Sequence, residues 1–196
     1  MIDFDKIWVE KYRPKTLNDI ILDDRTLEII KEFKDEIPNL LFVGNPGTGK
    51  TTLAQIIVND ILKCNYLYIN ASDESGIDTI RHNITNFAQT KSFDGKVKVV
   101  ILDEADGLTT QAQSALRNTM ETYAKYCRFV LTANYKHKII PALQSRCQAL
   151  DIKPVVESAV KRCYNILKNE NITVPEEQKK KFIQLVKRHF PDLRKT

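Results

Sequence analysis

A single change of pattern near residue 44 constrains the fold of this chain more than anything else in it. Asn39-Leu40-Leu41-Phe42-Val43 is an apolar run of strand length, Gly44-Asn45-Pro46-Gly47-Thr48-Gly49-Lys50-Thr51 fits G-x-x-x-x-G-K-[ST], and Thr52-Leu53-Ala54-Gln55-Ile56-Ile57-Val58 repeats apolar residues at helical spacing. A buried strand feeding a glycine loop and then a helix N-terminus places successive backbone N–H groups and the positive end of the helix dipole at one point. That point suits a nucleoside triphosphate. Gly44, Pro46, Gly47, Thr48, Gly49, Lys50, Thr51 and Thr52 are the candidate residues, with Lys50 reaching the outer phosphates and the Thr51 hydroxyl offered to Mg²⁺.

Further strands are expected at Tyr66-Leu67-Tyr68-Ile69, at 97–102, at 128–132 and at 149–152, with helical stretches between most of them. This alternation predicts a parallel five-stranded α/β sheet covered by helices. Pro154 breaks it. Val156, Val160, Cys163 and Leu167 then mark an amphipathic helix outside the sheet, and Thr173-Val174-Pro175-Glu176-Glu177 reads as the start of another, with Phe182, Leu185 and Val186 on its apolar face. The predicted division is an α/β unit over 1–152 and a small helical unit over 153–196.

The chain of 196 residues is 42% hydrophobic and 28% charged, the balance of a globular protein with a full core. No apolar run approaches the roughly 18 residues of a membrane span, and the polar start Met1-Ile2-Asp3-Phe4-Asp5-Lys6 lacks a signal-peptide core, so a soluble intracellular protein is expected. Cys64, Cys127, Cys147 and Cys163 are scattered without a C-x-x-C pair, so reduced thiols are expected. The net charge of +5 comes from the tail, where residues 151–196 hold 11 Lys/Arg against 6 Asp/Glu; this is weak grounds for nucleic-acid binding.

The second motif is Val99-Val100-Ile101-Leu102-Asp103-Glu104-Ala105-Asp106, an apolar strand presenting adjacent carboxylates at its carboxyl end, the edge where open α/β sheets bind ligands. Asp103 is suited to hold Mg²⁺ through its waters and Glu104 to orient or deprotonate an attacking water, because phosphoryl transfer needs metal neutralisation and a positioned nucleophile. Asp106 reads equally well as a solvated cap.

The order of motifs resembles the AAA+ ATPases, and within them the small ATPase subunits of sliding-clamp loaders. The matches are Trp8-Val9-Glu10-Lys11-Tyr12-Arg13-Pro14, Asn70-Ala71-Ser72-Asp73, Asp103-Glu104-Ala105-Asp106, Ala112-Gln113-Ser114-Ala115-Leu116-Arg117, Met120-Glu121, Leu131-Thr132-Ala133-Asn134 and Ser145-Arg146-Cys147. The resemblance implies an ATPase that works with Mg²⁺. It makes Asn134 the amide that senses the attacking water or γ-phosphate, and Arg146 an arginine finger acting in trans on a neighbour's ATP. Val9, Tyr12 and Arg13 would pack beside the base, although Trp8 and Tyr12 could equally be core aromatics, and Arg194 would touch the phosphates from a lid.

It also implies partners: other loader subunits in a ring or spiral, a sliding clamp, and primer-template DNA whose phosphates follow helix N-termini. Ile77, Arg81 and Thr110 are the candidates for that contact, alongside plain helix capping by Ser75, Asp78 or Thr110. Gln113 and Arg117 match positions that couple DNA to the ATP site. Relatives continue into a helical collar, so the lid at 153–196 is expected to be incomplete and assembly is in doubt. Two alternatives stay open: another AAA+ DNA-associated ATPase (initiator, helicase loader or branch-migration motor) and a nucleotide-binding scaffold without hydrolysis. A DEAD-box helicase needs two RecA-like domains, and the chain is too short for them.

Overall fold

The structure, a computed structural model, describes residues 7–34, 37–73, 77–90 and 96–195, with only the backbone described at 77–81. A short helix α1 (Trp8–Lys11) and α2 (Asp24–Lys31) precede the alternating part of the chain. There follow β1 (Leu40–Val43), α3 (Lys50–Ile56), β2 (Tyr66–Asn70), α4 (Ile77–Gln89), β3 (Lys98–Asp103), α5 (Thr110–Thr122), β4 (Cys127–Ala133), α6 (Pro141–Gln144) and β5 (Gln148–Asp151). The strands form one parallel sheet in the order β2-β3-β4-β1-β5, as the alternation predicts. Two helices, α7 (Val156–Asn169) and α8 (Glu176–His189), stand outside it.

Alternate residues of each central strand face opposite helical layers. Leu41, Val43, Val100, Leu102, Phe129 and Leu131 pack with Ile84 and Ala88 of α4 and with Ala112, Leu116 and Met120 of α5. Leu40, Phe42, Val99, Ile101 and Val130 pack on the other side with Ile30 of α2 and with Leu53, Ala54 and Ile56 of α3. The helix pair has its own small core, in which Ala159 and Val186 meet Ile21, with Val160, Cys163, Phe182, Phe190 and Leu193 around them. Ile21 thereby fastens the N-terminal segment to α7 and α8.

Three local details differ from the sequence expectation. The helix after the glycine loop leaves α-geometry at Ile56 and continues as a π-turn over Ile57–Ile61. The last helix begins at Glu176 rather than at Thr173: Pro175 is its N-cap, and the residue before a proline is disfavoured in the helical region. Finally, the cap of α5 is Thr109, whose side chain accepts the Ala112 N–H, so Thr110 is the first helical residue and not the cap. Ser75 lies outside the described residues, as does the side chain of Asp78.

Candidate nucleotide site

Strand register assembles the site. Tyr68 is paired with Ile101 and Asn70 with Asp103, Ile101 with Val130, and Phe42 with Thr132. Because side chains alternate, Tyr68, Asp103 and Thr132 come out on the same face of the sheet at its carboxyl edge, the face covered by α3. The first turn of α3 carries Lys50 and Thr51 to that edge.

Asp103 is buried and encircled by hydroxyls. Thr51 Oγ1 donates across its two oxygens at 2.8 and 2.9 Å, Thr132 Oγ1 donates to Oδ1 at 2.6 Å, and the Tyr68 hydroxyl donates to Oδ2 at 2.8 Å. Burial and the bond to Asp103 push the Tyr68 phenol well above its ordinary range. Thr132 also accepts the Glu104 N–H at 3.0 Å, so one buried hydroxyl fixes both members of the acidic pair. Glu104 sits in the left-handed region (φ 55°, ψ 41°), a conformation that costs a non-glycine residue about 1–2 kcal/mol and turns its side chain out of the strand. Its carboxylate accepts a hydrogen bond from Ser72, whose hydroxyl also contacts Asn70 Oδ1 at 2.9 Å.

Lys50 is buried, and its ammonium donates to Gly44 O (2.9 Å), Asn45 O (2.9 Å) and Asn134 Oδ1 (2.8 Å). Three donors meet three acceptors, so any new anion must displace one of them. Burial lowers the Lys50 pKa, Asp103 and Asp106 oppose that, and Arg194 adds to it. Asp106, read from sequence as equally consistent with a solvated cap, is half-buried and accepts the N–H groups of Asn134 (3.2 Å) and Tyr135 (3.1 Å), which anchors the backbone that presents Asn134 to Lys50. Gly47 and Gly49 adopt positive φ, 78° and 94°, as the loop requires.

A cleft of about 620 Å³ runs from this edge between the N-terminal segment and the helix pair. Val9, Tyr12, Arg13, Gly47, Gly49, Lys50, Thr51, Thr52, Asp103, Glu104 and Arg194 all line it, together with Trp8 and Tyr68. Trp8 and Val9 are exposed there rather than buried in the core. Gly44, Pro46 and Thr48 do not line the cleft but shape the loop: Thr48 Oγ1 closes on Asn45 O at 2.9 Å, and a side chain at Gly44 would meet Ile152 O at 2.7 Å. The helix pair is tied to the cleft at both ends. Leu193 N–H donates to Gly47 O at 3.0 Å, and the Tyr12 hydroxyl donates to Glu170 at 2.6 Å, with Lys11 on the same carboxylate oxygen.

Arg146 is not in the cleft. It pairs with Glu121 of α5, its Nε donating at 2.7 Å, and donates to Ala142 O at 2.8 Å. Gln113 is buried, bridging Leu108 O and Lys138 O and accepting the Ile140 N–H at 2.8 Å; Arg117 contacts Asn118. Thr110 is exposed at the start of α5; Ile77 and Arg81 lie in α4, their side chains outside the described residues. Tyr68 lies outside every motif of the sequence, and Ser72 and Thr132 lie in motif runs that give them no role; strand register brings Tyr68 and Thr132 to Asp103, and the turn after β2 brings Ser72 to Glu104.

This fold and site define a phosphate-loop nucleotide-binding protein of the α/β class. A family model described as ATPase family associated with various cellular activities (AAA) matches residues 40–154, and the chain belongs to that family. A second, described as the AAA+ ATPase lid domain of the sliding-clamp-loader large subunit, matches residues 151–196. The chain is similar to the replication factor C small subunit of Archaeoglobus fulgidus, 45% identical over 180 residues, which is 88% of this chain and 56% of that protein. It is likewise similar to replication factor C subunit 3 of Saccharomyces cerevisiae, 42% identical over 186 residues, 91% of this chain and 55% of the relative. It thus spans about half the length of these relatives. Among solved structures, the Thermotoga maritima RuvB Holliday junction branch migration motor superposes with a TM-score of 0.69 at 18% identity, covering 90% of this chain and 64% of that one, a likeness of fold alone. Among the described residues no helix is long and apolar enough to cross a membrane.

Proposed function

We propose that this chain is the ATPase part of a sliding-clamp-loader subunit, an intracellular protein that binds Mg·ATP between subunits and hydrolyses it on primer-template DNA. The observation that carries the reading is the junction of two hydrogen-bonded pairs at one sheet edge, Lys50 with Asn134 and Thr51 with Asp103. The similarity to replication factor C small subunits over most of this chain supports the clamp-loader assignment. Residues 1–152 form the nucleotide-binding unit and 153–196 the lid.

The donor set fits Mg²⁺: a hydroxyl and a carboxylate are the hard oxygen ligands it prefers. Thr51 and Asp103 would hold the ion, which when bound supplies charge neutralisation at the phosphates. Lys50 exchanges its loop carbonyls for phosphate oxygens, Asn134 holds the water or γ-phosphate in place, and Glu104 takes the water's proton once it leaves Ser72. Val9, Tyr12 and Arg13 wall the base, and Arg194 closes from the lid. Arg146 leaves Glu121 to reach a neighbouring subunit's ATP. Its distance from its own cleft supports a head-to-tail interface. The α5 N-terminus at Thr110, with Ile77 and Arg81 on α4, tracks DNA phosphates, and the clamp and the other loader subunits are the protein partners.

The test is steady-state ATP hydrolysis against protein concentration, with and without primer-template DNA, for wild type and Arg146→Ala. A rate that climbs faster than linearly, rises with primed DNA and collapses in the variant is expected. A linear rate indifferent to DNA and to Arg146 would remove the loader reading for this chain.

A further inference from the structure

Asp103 is held from three directions, and the three hydroxyls are not equivalent. Thr51 spans both carboxylate oxygens, at 2.8 and 2.9 Å, and is itself the hydroxyl that would turn to the metal ion. Once it turns, two bonds remain, Thr132 on Oδ1 at 2.6 Å and Tyr68 on Oδ2 at 2.8 Å. One bond per oxygen fixes the plane of a carboxylate; one bond alone leaves it free to rotate about its Cβ–Cγ axis. Thr132 comes from a central strand and is fully buried, whereas Tyr68 comes from β2, at the edge of the sheet, with its ring half-exposed in the cleft.

We infer that Tyr68 is a positioning residue for metal binding: its hydroxyl holds Oδ2 of Asp103 so that the carboxylate meets Mg²⁺ in a fixed orientation after Thr51 has turned away. The inference rests on the reading of Asp103 as the metal-holding carboxylate. No sequence motif marks the position, because the tyrosine lies 35 residues before its partner and reaches it only through the pairing of β2 with β3. Partners of a ligating carboxylate contribute about 10–100-fold to metal affinity when they orient it. Tyr68→Phe removes one oxygen from an accessible ring and leaves Thr51 and Thr132 in place.

The experiment titrates Mn²⁺, followed by electron paramagnetic resonance of the free ion, into the chain saturated with ADP, for wild type, Tyr68→Phe and Asp103→Asn. Affinity for a fluorescent ADP analogue in EDTA and the thermal midpoint are measured alongside. The expected result is an Mn²⁺ Kd raised about 10-fold in Tyr68→Phe, with metal-free nucleotide affinity within twofold of wild type and a cooperative thermal transition retained. An Mn²⁺ Kd within twofold of wild type, while Asp103→Asn loses the metal, overturns the role of Tyr68 and leaves that of Asp103 standing. An equal loss of nucleotide affinity in EDTA also overturns it, since Tyr68 would then be a wall of the nucleotide cleft. A wild-type chain without ADP-dependent Mn²⁺ binding, or an Asp103→Asn variant that keeps it, overturns the assignment of Asp103 and Tyr68 together.

Discussion

Gly47→Ala should unseat the helix pair from the phosphate loop. A Cβ at residue 47 would lie 1.9 Å from Asp192 Oδ1, 2.5 Å from its Cγ and 3.0 Å from its α-carbon, on a backbone with φ +78°. The clash with the carboxylate can be relieved by rotating the Asp192 side chain; the crowding of its main chain is relieved only if the 191–194 segment moves. That movement breaks the Leu193 N–H bond to Gly47 O, 3.0 Å long and worth about 0.5–1.5 kcal/mol. The positive φ adds about 1–2 kcal/mol, and crowding about 1–3 kcal/mol, while the stiffer unfolded chain returns about 0.4–1 kcal/mol. The net expectation is a loss of about 1.5–6 kcal/mol, seen as a thermal midpoint lowered by roughly 3–24 °C for a chain of this size. Thermal unfolding without nucleotide reads the magnitude, and amide exchange at Leu193 locates it. Asp192→Ala in the Gly47→Ala background should recover part of the loss, since it removes the two closest atoms and keeps the main chain. A Gly47→Ala chain within about 0.5 kcal/mol of wild type, with Leu193 still protected, would refute the direct docking of the lid on the loop.

Two further expectations concern stability away from the nucleotide. Lys98 is buried, and its ammonium caps the end of α4 through the carbonyls of Phe87, Ala88 and Thr90; Lys98→Met keeps the stem, strands those carbonyls and should lower the urea-derived stability by about 1.5–3 kcal/mol, a neutral outcome refuting the cap. Burial pushes the Cys147 thiol up to about 12 from an ordinary 9.0. The folded chain therefore keeps this proton where the unfolded chain has lost it, and stability from this group is complete below pH 9 and falls by up to about 1.4 kcal/mol per unit as pH rises from 9 toward 12. Cys147→Ala should flatten the urea midpoint between about pH 9 and 11 relative to wild type, and parallel profiles would contradict the burial effect.

Much of the fold was legible in the chain because its signals are local. Strands such as Lys98–Asp103 are buried on both faces and carry a continuous apolar stretch, here 99–102, and Gly47 and Gly49 stand where the loop needs positive φ. Lys50, Thr51 and Asp103 converge as expected from two motifs whose strand and helix contexts are themselves local. Other features depend on neighbours distant in sequence. The role of Asp106 was not legible, since the N–H groups that it accepts, those of Asn134 and Tyr135, come from the end of another strand. Nor could the pairing of Arg146 with Glu121 be read, because it joins α5 to the segment after α6.

The succession of strand, phosphate loop and helix, and the acidic pair that ends a later strand, are written in contiguous residues and enforced by backbone geometry and hydrophobic period. The hydroxyls around Asp103, the full engagement of Lys50 by its own loop and Asn134, and the seating of Leu193 and Asp192 on Gly47 arise instead from long-range packing. Those outcomes depend on strand order, register and the seating of one layer on another, where a shift of one residue turns every side chain to the opposite face.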